Sequence, residues 1–421
     1  FNFVDYFIFC SHYSVSACFY IIVTSMAKPE FLSKDILDEE YIKSFEPFHH
    51  LQMALGSCRV NIRDRFVSSP TTAQKIFSVC CVIITLVLYI YTTTSYFIRY
   101  YDFAGIYVTS IISIVMYYIT FFLHIIHVRF INCNSNPRFY IQLQEIDRLM
   151  NVNKNEKLNR VLYLNNAASA GVSVLVLLMA FCLTMYENAH FFMGIVGLLY
   201  SVLTCIVEWM YCADLLVYFF LRIRFINAII INHLQGTVGP LKHRAINLPT
   251  YYFIRCLASE THDFQTCCVD LYLKALFEGF TSFQNHYRFQ MLLFCNQFVL
   301  LSLLTFEIGL GALQYNALRW SELITLPTIL ICNTLLAIFL CIRCEVFYRE
   351  TKKTKRLCIT MMSRYCDGPL RDKAKRILKI IEQRPVKFNV YNMWSMNALT
   401  VIRMLNIVTT MMVVLLQFTF L

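Results

Sequence analysis

Polar side chains recur at helical spacing through the apolar segment that ends the chain. The final stretch TTMMVVLLQFTFL holds apolar residues, hydroxyl residues and one amide, Gln417. No Pro or Gly interrupts residues 389–421, so we expect one continuous helix there, longer than a membrane span requires. Its polar residues would share an arc of about 120°: Asn389, Asn392, Thr400, Arg403, Asn406, Thr410 and Gln417. Amide and hydroxyl oxygens can contact a passing ion without a fixed charge.

This polar stripe has two interpretations. Single hydroxyl or amide residues on a membrane helix commonly form hydrogen bonds to a neighbouring helix of the same subunit. A stripe that continues along the helix instead favours a water-filled path. One helix cannot enclose such a path, so the second interpretation implies an oligomer. Its predicted pore and gate residues are Thr410, Val413, Val414, Gln417 and Phe418, with Thr400, Arg403 and Asn406 lower on the stripe.

The composition of the chain indicates which environment must hold this helix. The sequence has 421 residues, of which 58% are hydrophobic and only 15% are charged. A soluble domain would be closer to half apolar and a quarter charged, so we predict a polytopic membrane protein. Seven stretches are long and apolar enough to span a bilayer as helices: 76–98, 103–127, 163–186, 191–217, 289–313, 322–345 and 397–421. The fold class is therefore predicted as all-α with seven transmembrane helices.

The distribution of Lys and Arg predicts the orientation of these helices. Basic residues concentrate in the linkers 128–162, 218–288 and 343–387, whereas loops 99–102, 187–190 and 314–321 are nearly free of them. Cytoplasmic loops carry the excess of positive charge. We therefore expect a cytoplasmic N-terminus and an extracellular C-terminus. Few helix breakers interrupt the basic linkers, which predicts a helical anchor region in the cytoplasm.

These observations divide the chain into five parts. Residues 1–25 are apolar and precede Met26, and we interpret them as an upstream extension or an artefact of gene prediction. Residues 26–75 form a cytoplasmic segment, 76–345 hold helices one to six with their linkers, 346–396 form anchor helices, and 397–421 form the last, pore-lining helix.

The sequence carries no pattern typical of an enzyme or a metal site. It has no HExxH, GxSxG or P-loop. Its 18 cysteines do not form two CxxC pairs with metal spacing, so we expect free thiols, no metal and no cofactor. The net charge of +11 follows the predicted topology, and we predict lipid contact and no nucleic-acid partner.

The end of the chain resembles the C-terminal signature of insect gustatory receptors. The family pattern is Thr-Tyr, five apolar residues and Gln-Phe, and it is matched by Thr410, Gln417 and Phe418, with Met411 in place of the usual Tyr. The predicted topology from about residue 40 to 421 fits the same family. The resemblance implies a ligand-gated cation channel in the plasma membrane of taste neurons, a homo- or heterotetramer whose last helices line one pore. Gln417 and Phe418 would form its constriction.

The resemblance also implies a small-molecule tastant as the ligand, bound among the outer halves of helices two to six. The ligand would be a bitter or other plant compound, with a sugar as the alternative. The candidate contacts are Glu307, Trp320, Tyr107, Tyr186 and His190. Glu307 stands out because a carboxylate inside an apolar half-helix is costly and usually functional. Glu208 and Asp214 lie deeper, and we predict them to be structural partners of arginines at the inner boundary.

Two other functions remain open at this point. A seven-helix G-protein-coupled chemoreceptor would need the opposite orientation, with its N-terminus outside. A secondary transporter should show repeats and broken helices near the midplane, but Pro327 is the single proline inside the predicted spans.

Overall fold

The computed structural model describes residues 36–100, 104–152, 156–187, 192–236, 264–315, 320–384 and 386–420. Most of these residues are helical, and two small antiparallel hairpins complete the fold. In chain order the elements are α1 (Glu39–Ala54), β1 (Asn61–Arg63), β2 (Phe66–Ser68), α2 (Thr72–Tyr100), α3 (Ala104–Ile126), α4 (Ser135–Leu149), α5 (Glu156–Glu187), α6 (Phe192–Gly236), α7 (Val269–Tyr315), α8 (Trp320–Arg364), α9 (Pro369–Gln383), β3 (Asn389–Val390), β4 (Trp394–Ser395) and α10 (Ala398–Phe420). A π-helical segment, His127–Ile131, extends α3.

Seven of the described helices, α2, α3, α5, α6, α7, α8 and α10, have 23 residues or more. Each of them overlaps one predicted span. In the described part of the chain, five segments are long and apolar enough to cross a bilayer: Thr72–Thr94, Val108–Ile131, Leu158–Met179, Val269–Leu310 and Leu330–Arg364. The apolar segment of α10, Ala398–Val414, is shorter. The chain is thus a multi-pass helical membrane protein, and the total of seven spans and the orientation of the termini stay predictions.

Helix α6 is the centre of the bundle. It packs against α2, α3, α5, α7 and α8, and nearly all its side chains from Val207 to Ile230 are buried. A Cβ atom on Gly197 would lie 2.6 Å from the Leu88 Cβ, and one on Gly194 would lie 2.3 Å from the Thr92 Oγ1. The absence of a side chain at these two positions therefore lets α2 approach α6 closely.

Helices α6, α7 and α8 continue past the predicted ends of the spans. Helix α6 extends to Gly236, α7 begins at Val269, and α8 runs to Arg364. Helix α9 is amphipathic and buries Ala374, Ile377 and Ile381 where it packs on α7 and α8. Its start is set by Gly368, whose φ of 107° is unfavourable for other residues, followed by Pro369 at the first turn. A helical layer therefore lies below the predicted inner boundary.

The segment that precedes α2 also joins this layer. Helix α1 packs on α5 and α6 and buries Tyr41, Phe45 and Phe48. The β1–β2 hairpin pairs Asn61 with Ser68. The charge pattern predicts a cytoplasmic position for this segment and indicates neither of these two elements.

The prediction of one continuous helix from 389 to 421 is wrong. Residues 389–390 pair with 394–395 in the β3–β4 hairpin, and α10 begins only at Ala398. Tyr391 and Asn392 take left-handed backbone conformations, with φ of 48° and 60°, which ends any helix there. Asn389 and Asn392 therefore do not belong to the polar stripe.

Tertiary contacts hold this hairpin in place. The Tyr348 hydroxyl of α8 accepts a hydrogen bond from the Phe388 N–H at 2.6 Å. The Gln284 side chain of α7 donates to the Asn389 carbonyl at 2.9 Å. Because these partners lie far away in the sequence, the absence of Pro and Gly in 389–397 could not reveal the break.

Candidate pore helix and binding region

Helix α10 begins with a reciprocal cap. The Asn397 Oδ1 accepts a hydrogen bond from the Thr400 N–H at 3.0 Å, and the Thr400 hydroxyl accepts one from the Asn397 N–H at 3.3 Å. The Thr400 Oγ1 also donates to the Ser395 carbonyl at 2.6 Å. Thr400 is 5% exposed. Although it was predicted as the lower end of the stripe, its side chain serves to start the helix within the subunit.

One face of α10 packs against its own subunit. Val401, Met404 and Val408 are buried, and Met412 packs partly buried against the same core. Their spacing of three and four residues places them on one side of the helix. The helix contacts α7 and α8, so this apolar side is its intramolecular interface.

The polar side of α10 points away from the subunit. Arg403, Asn406, Thr410 and Gln417 are all exposed. At 100° per residue they share an arc of about 60°, roughly opposite the buried face. The predicted gate residues Val413 and Val414 are also exposed, at 48% and 38%. Phe418 lies on α10, and its side chain falls outside the described part of the structure.

Glu307 is the candidate ligand contact for which the structure describes the side chain. It is exposed on α7, and its Oε1 accepts a hydrogen bond from the Thr109 hydroxyl of α3 at 3.3 Å. Thr109 itself is 5% exposed. The structure thus joins α3 and α7 at this carboxylate, and the role of Glu307 in ligand binding stays a prediction.

The side chains of the other four ligand candidates fall outside the described part of the structure. Tyr107, Tyr186 and Trp320 lie on α3, α5 and α8, but their side chains are outside the described part. His190 falls wholly outside the described residues.

A buried ion pair joins the N-terminal segment to the transmembrane helices. The Arg59 Nη2 and Nε lie 2.7 and 3.1 Å from the Glu208 Oε2. Arg59 is 2% exposed and Glu208 0%. Gln52 donates to the Glu208 Oε1 at 2.7 Å, and Arg59 also donates to the Gln290 Oε1 at 2.9 Å. The prediction that Glu208 has an arginine partner is confirmed, and its partner comes from the segment before α2.

Asp214 is linked to Arg343 through a third side chain. Its Oδ1 accepts a hydrogen bond from the Asn165 Nδ2 at 2.8 Å, and the Arg343 Nη2 donates to the Oδ1 of the same amide at 3.3 Å. Asn165 therefore lies between the carboxylate and the guanidinium, a bridge that the sequence did not indicate.

Two further buried arginines were missed by the sequence analysis. Arg222 on α6 forms bonds of 2.9 and 2.7 Å to the Asp147 carboxylate of α4, and its guanidinium lies 3.7 Å from the Tyr218 ring centroid. Arg129 donates to the Gly56 carbonyl at 3.1 Å and the Ser78 hydroxyl at 3.0 Å. Both residues were counted only as topological charges. Their burial depends on partners in other helices, which charge counting does not consider.

The N-terminal segment also contains a cavity of about 200 Å³ beside α1, lined in part by Tyr41, His49 and Tyr140. The His49 Nδ1 lies 3.3 Å from the Cys58 Sγ. Burial lowers the pKa of His49 to about 4, with the positive charges of His50 and Arg129 acting in the same direction. Burial raises the pKa of the Cys58 thiol to about 11. Both side chains are therefore uncharged at neutral pH.

The described residues contain no cluster of three or more His, Cys, Asp or Glu that could hold a metal ion. The described cysteines are free, including Cys205, Cys212, Cys295, Cys341 and Cys344 in the buried core. The candidate site among the described residues therefore consists of the exposed polar face of α10 and the Glu307 carboxylate that is bonded to Thr109.

The profile of a family described as 7tm chemosensory receptor matches residues 47–421. No curated protein is a significant match to the chain. Among solved structures, the insect olfactory receptor OR5 from Machilis hrabei is similar at a TM-score of 0.49 and 10% sequence identity, covering 90% of this chain and 100% of that chain.

Proposed function

Because the chain belongs to the 7tm chemosensory receptor family, we propose that it is a gustatory receptor that acts as a tastant-gated, non-selective cation channel. The receptor is a homo- or heterotetramer in the plasma membrane of a sensory neuron. Its N-terminus is cytoplasmic, its C-terminus is extracellular, and α10 of each subunit lines the pore.

The observation that supports this proposal is the polar face of α10. The face that carries Arg403, Asn406, Thr410 and Gln417 is exposed, while the opposite face packs on the subunit. Uncompensated polar groups are costly in hydrocarbon, so lipid is a poor neighbour for this face. A symmetric arrangement of subunits around a water-filled axis hydrates these polar side chains. Hydrogen bonds within one subunit do not satisfy them, because the rest of the subunit packs on the opposite side of α10.

The residues on this face suggest how ions pass. Residues 398–421 contain no Asp or Glu, so beyond Arg403 at its inner end the path offers cations hydroxyl and amide oxygens and carries no fixed charge. Monovalent cations should pass with little discrimination. Val414 and Phe418 supply the apolar rings that close a narrow pore by excluding water, with the Gln417 ring between them.

The ligand enters from the outer side and acts near Glu307. The hydrogen bond between Glu307 and Thr109 joins α3 to α7, and α7 contacts α10. A ligand that competes for this carboxylate therefore acts on a helix that touches the pore helix. We expect a bitter or other plant compound, with a sugar as the alternative, and Tyr107, Tyr186, His190 and Trp320 as further contacts.

A tastant panel on the expressed chain, read as calcium entry, identifies the agonist. The agonist is then applied to excised patches without GTP. A channel keeps its ligand-evoked current there, whereas a G-protein-coupled receptor loses it and a transporter gives no unitary openings.

Cysteine accessibility tests the pore face directly. A water-soluble thiol reagent should block the current through Thr410→Cys. It should leave the current through Val408→Cys equal to that of the parent, because Val408 faces the subunit core. Block of the Val408 variant alone would reject the proposed orientation of α10.

A further inference from the structure

A groove between α6 and α8 opens towards the outside of the bundle. Its volume is about 210 Å³. Its wall is apolar apart from one arginine and consists of Leu216, Val217, Phe220, Phe339, Ile342, Val346 and Arg343. Ile342 is 51% and Val346 37% exposed, so the mouth of the groove faces the surrounding membrane. The predicted span of α8 ends at residue 345, and the orientation under Proposed function puts that end on the cytoplasmic side, so the groove would lie beside the headgroups of the inner leaflet.

Arg343, the arginine of this groove, contacts an amide and an aromatic ring. Its Nη2 donates to the neutral Asn165 amide at 3.3 Å, and its guanidinium lies 4.7 Å from the Phe339 ring centroid. The Asp214 carboxylate reaches Arg343 through this amide, to which it is bonded at 2.8 Å, so the guanidinium keeps N–H donors for a further anion. A second guanidinium, that of Arg224, lies 5.4 Å from the ring of Phe220 in the groove wall. The groove thus combines an apolar wall with positive charge.

We propose that this groove binds an anionic phospholipid of the inner leaflet. One acyl chain covers the apolar wall, and the phosphate is held by Arg343. A guanidinium suits phosphate because it can donate two parallel hydrogen bonds. Basic pockets between helices on the cytoplasmic side have the chemistry that lipid headgroups need. A water-soluble anion would satisfy the charge and leave the apolar wall uncovered.

The test uses the purified full-length receptor in detergent. Phosphatidylserine or phosphatidylinositol 4-phosphate is added, with phosphatidylcholine as the neutral lipid and glycerophosphate as the soluble anion. Thermal stability and retained lipid are measured by size-exclusion fluorescence and native mass spectrometry. The anionic lipids should raise the melting temperature of the parent and remain bound, whereas the other two additives should not.

Three variants locate the effect. Arg343→Gln should bind anionic lipid about tenfold more weakly, as expected for the loss of one charge-assisted contact. Val217→Trp fills the groove and keeps the arginine, so it should lose the lipid too. Arg349→Gln is the matched control, because Arg349 lies on the same helix, is 73% exposed and pairs with Glu345; it should behave as the parent.

The melting temperature of each variant without lipid shows whether it has folded. Three results would overturn the proposal: no shift of the parent with anionic lipid, an equal shift with glycerophosphate, or full lipid retention by both Arg343→Gln and Val217→Trp. Neither readout depends on ion conduction, so failure here is distinguishable from failure of the proposed channel function.

Discussion

Breaking the ion pair between Arg59 and Glu208 should strongly destabilise the receptor. The two side chains are 2% and 0% exposed, with the guanidinium and the carboxylate 2.7 Å apart. Arg59→Met leaves the Glu208 carboxylate buried, with the Gln52 amide at 2.7 Å and the His124 imidazole at 3.9 Å as its polar neighbours. Glu208→Gln leaves the Arg59 guanidinium facing the Gln290 oxygen and the Tyr287 ring, whose centroid is 4.3 Å away. Each single substitution therefore leaves a buried charge without its ion-pair partner.

The burial determines the size of the effect. Removing one partner of a buried pair costs about 3–5 kcal/mol, because the remaining charge cannot return to water. At about 2 °C per kcal/mol for a large domain, the melting temperature should fall by about 6–10 °C. The double variant removes both charges, so its melting temperature should fall no further than that of either single variant.

A pair of similar length on the surface supplies the control. Arg65 and Glu39 are 2.8 Å apart, with side chains 57% and 55% exposed. Arg65→Met should leave the melting temperature unchanged, since water and salt screen exposed pairs. The assay is thermal challenge of the detergent-solubilised receptor followed by size-exclusion fluorescence.

The double variant is the decisive measurement. If its loss equals the sum of the two single losses, Arg59 and Glu208 act independently and the ion pair does not exist in the folded receptor. Equal effects of Arg59→Met and Arg65→Met would also refute the reasoning, because burial would then not determine the cost.

Four further experiments address the remaining features. Glu307→Gln keeps the side-chain shape and removes the charge, so agonist potency should shift while surface expression holds; an unchanged dose–response curve removes Glu307 from the site. Gln417→Glu should raise relative calcium permeability, measured from reversal potentials, and Phe418→Ala should raise leak current without ligand; Leu405→Ala, on the flank of α10, should do neither. Burial keeps the pKa of His49 near 4, below the usual 6.5, so its contribution to stability is complete above about pH 6.5 and is lost as the pH falls towards 4; His49→Gln should reduce the slope of melting temperature against pH in that window, and an unchanged slope contradicts this. An epitope tag after Leu421 should be stained on intact cells, and staining only after permeabilisation rejects the predicted orientation.

The sequence by itself determined the class of this protein. Long apolar stretches such as 103–127 can satisfy their backbone in a bilayer only as helices or closed barrels, and hydropathy therefore predicts them locally. The spacing of Arg403, Asn406, Thr410 and Gln417 likewise defines one face of a helix without any tertiary information. The motif around Gln417 indicated a chemosensory receptor, and the profile match over residues 47–421 confirmed the 7tm chemosensory receptor family.

Only the tertiary structure decided where these features lie relative to one another. The β3–β4 hairpin depends on Tyr348 and Gln284, so a local search for Pro and Gly missed it. Thr400 lies at the correct spacing for the stripe, yet the hairpin and Asn397 use its side chain as a cap. Arg59 and Arg222 differ from surface arginines only in what other helices bring near them. Periodicity reports which residues share a face, and packing between distant segments decides what that face meets.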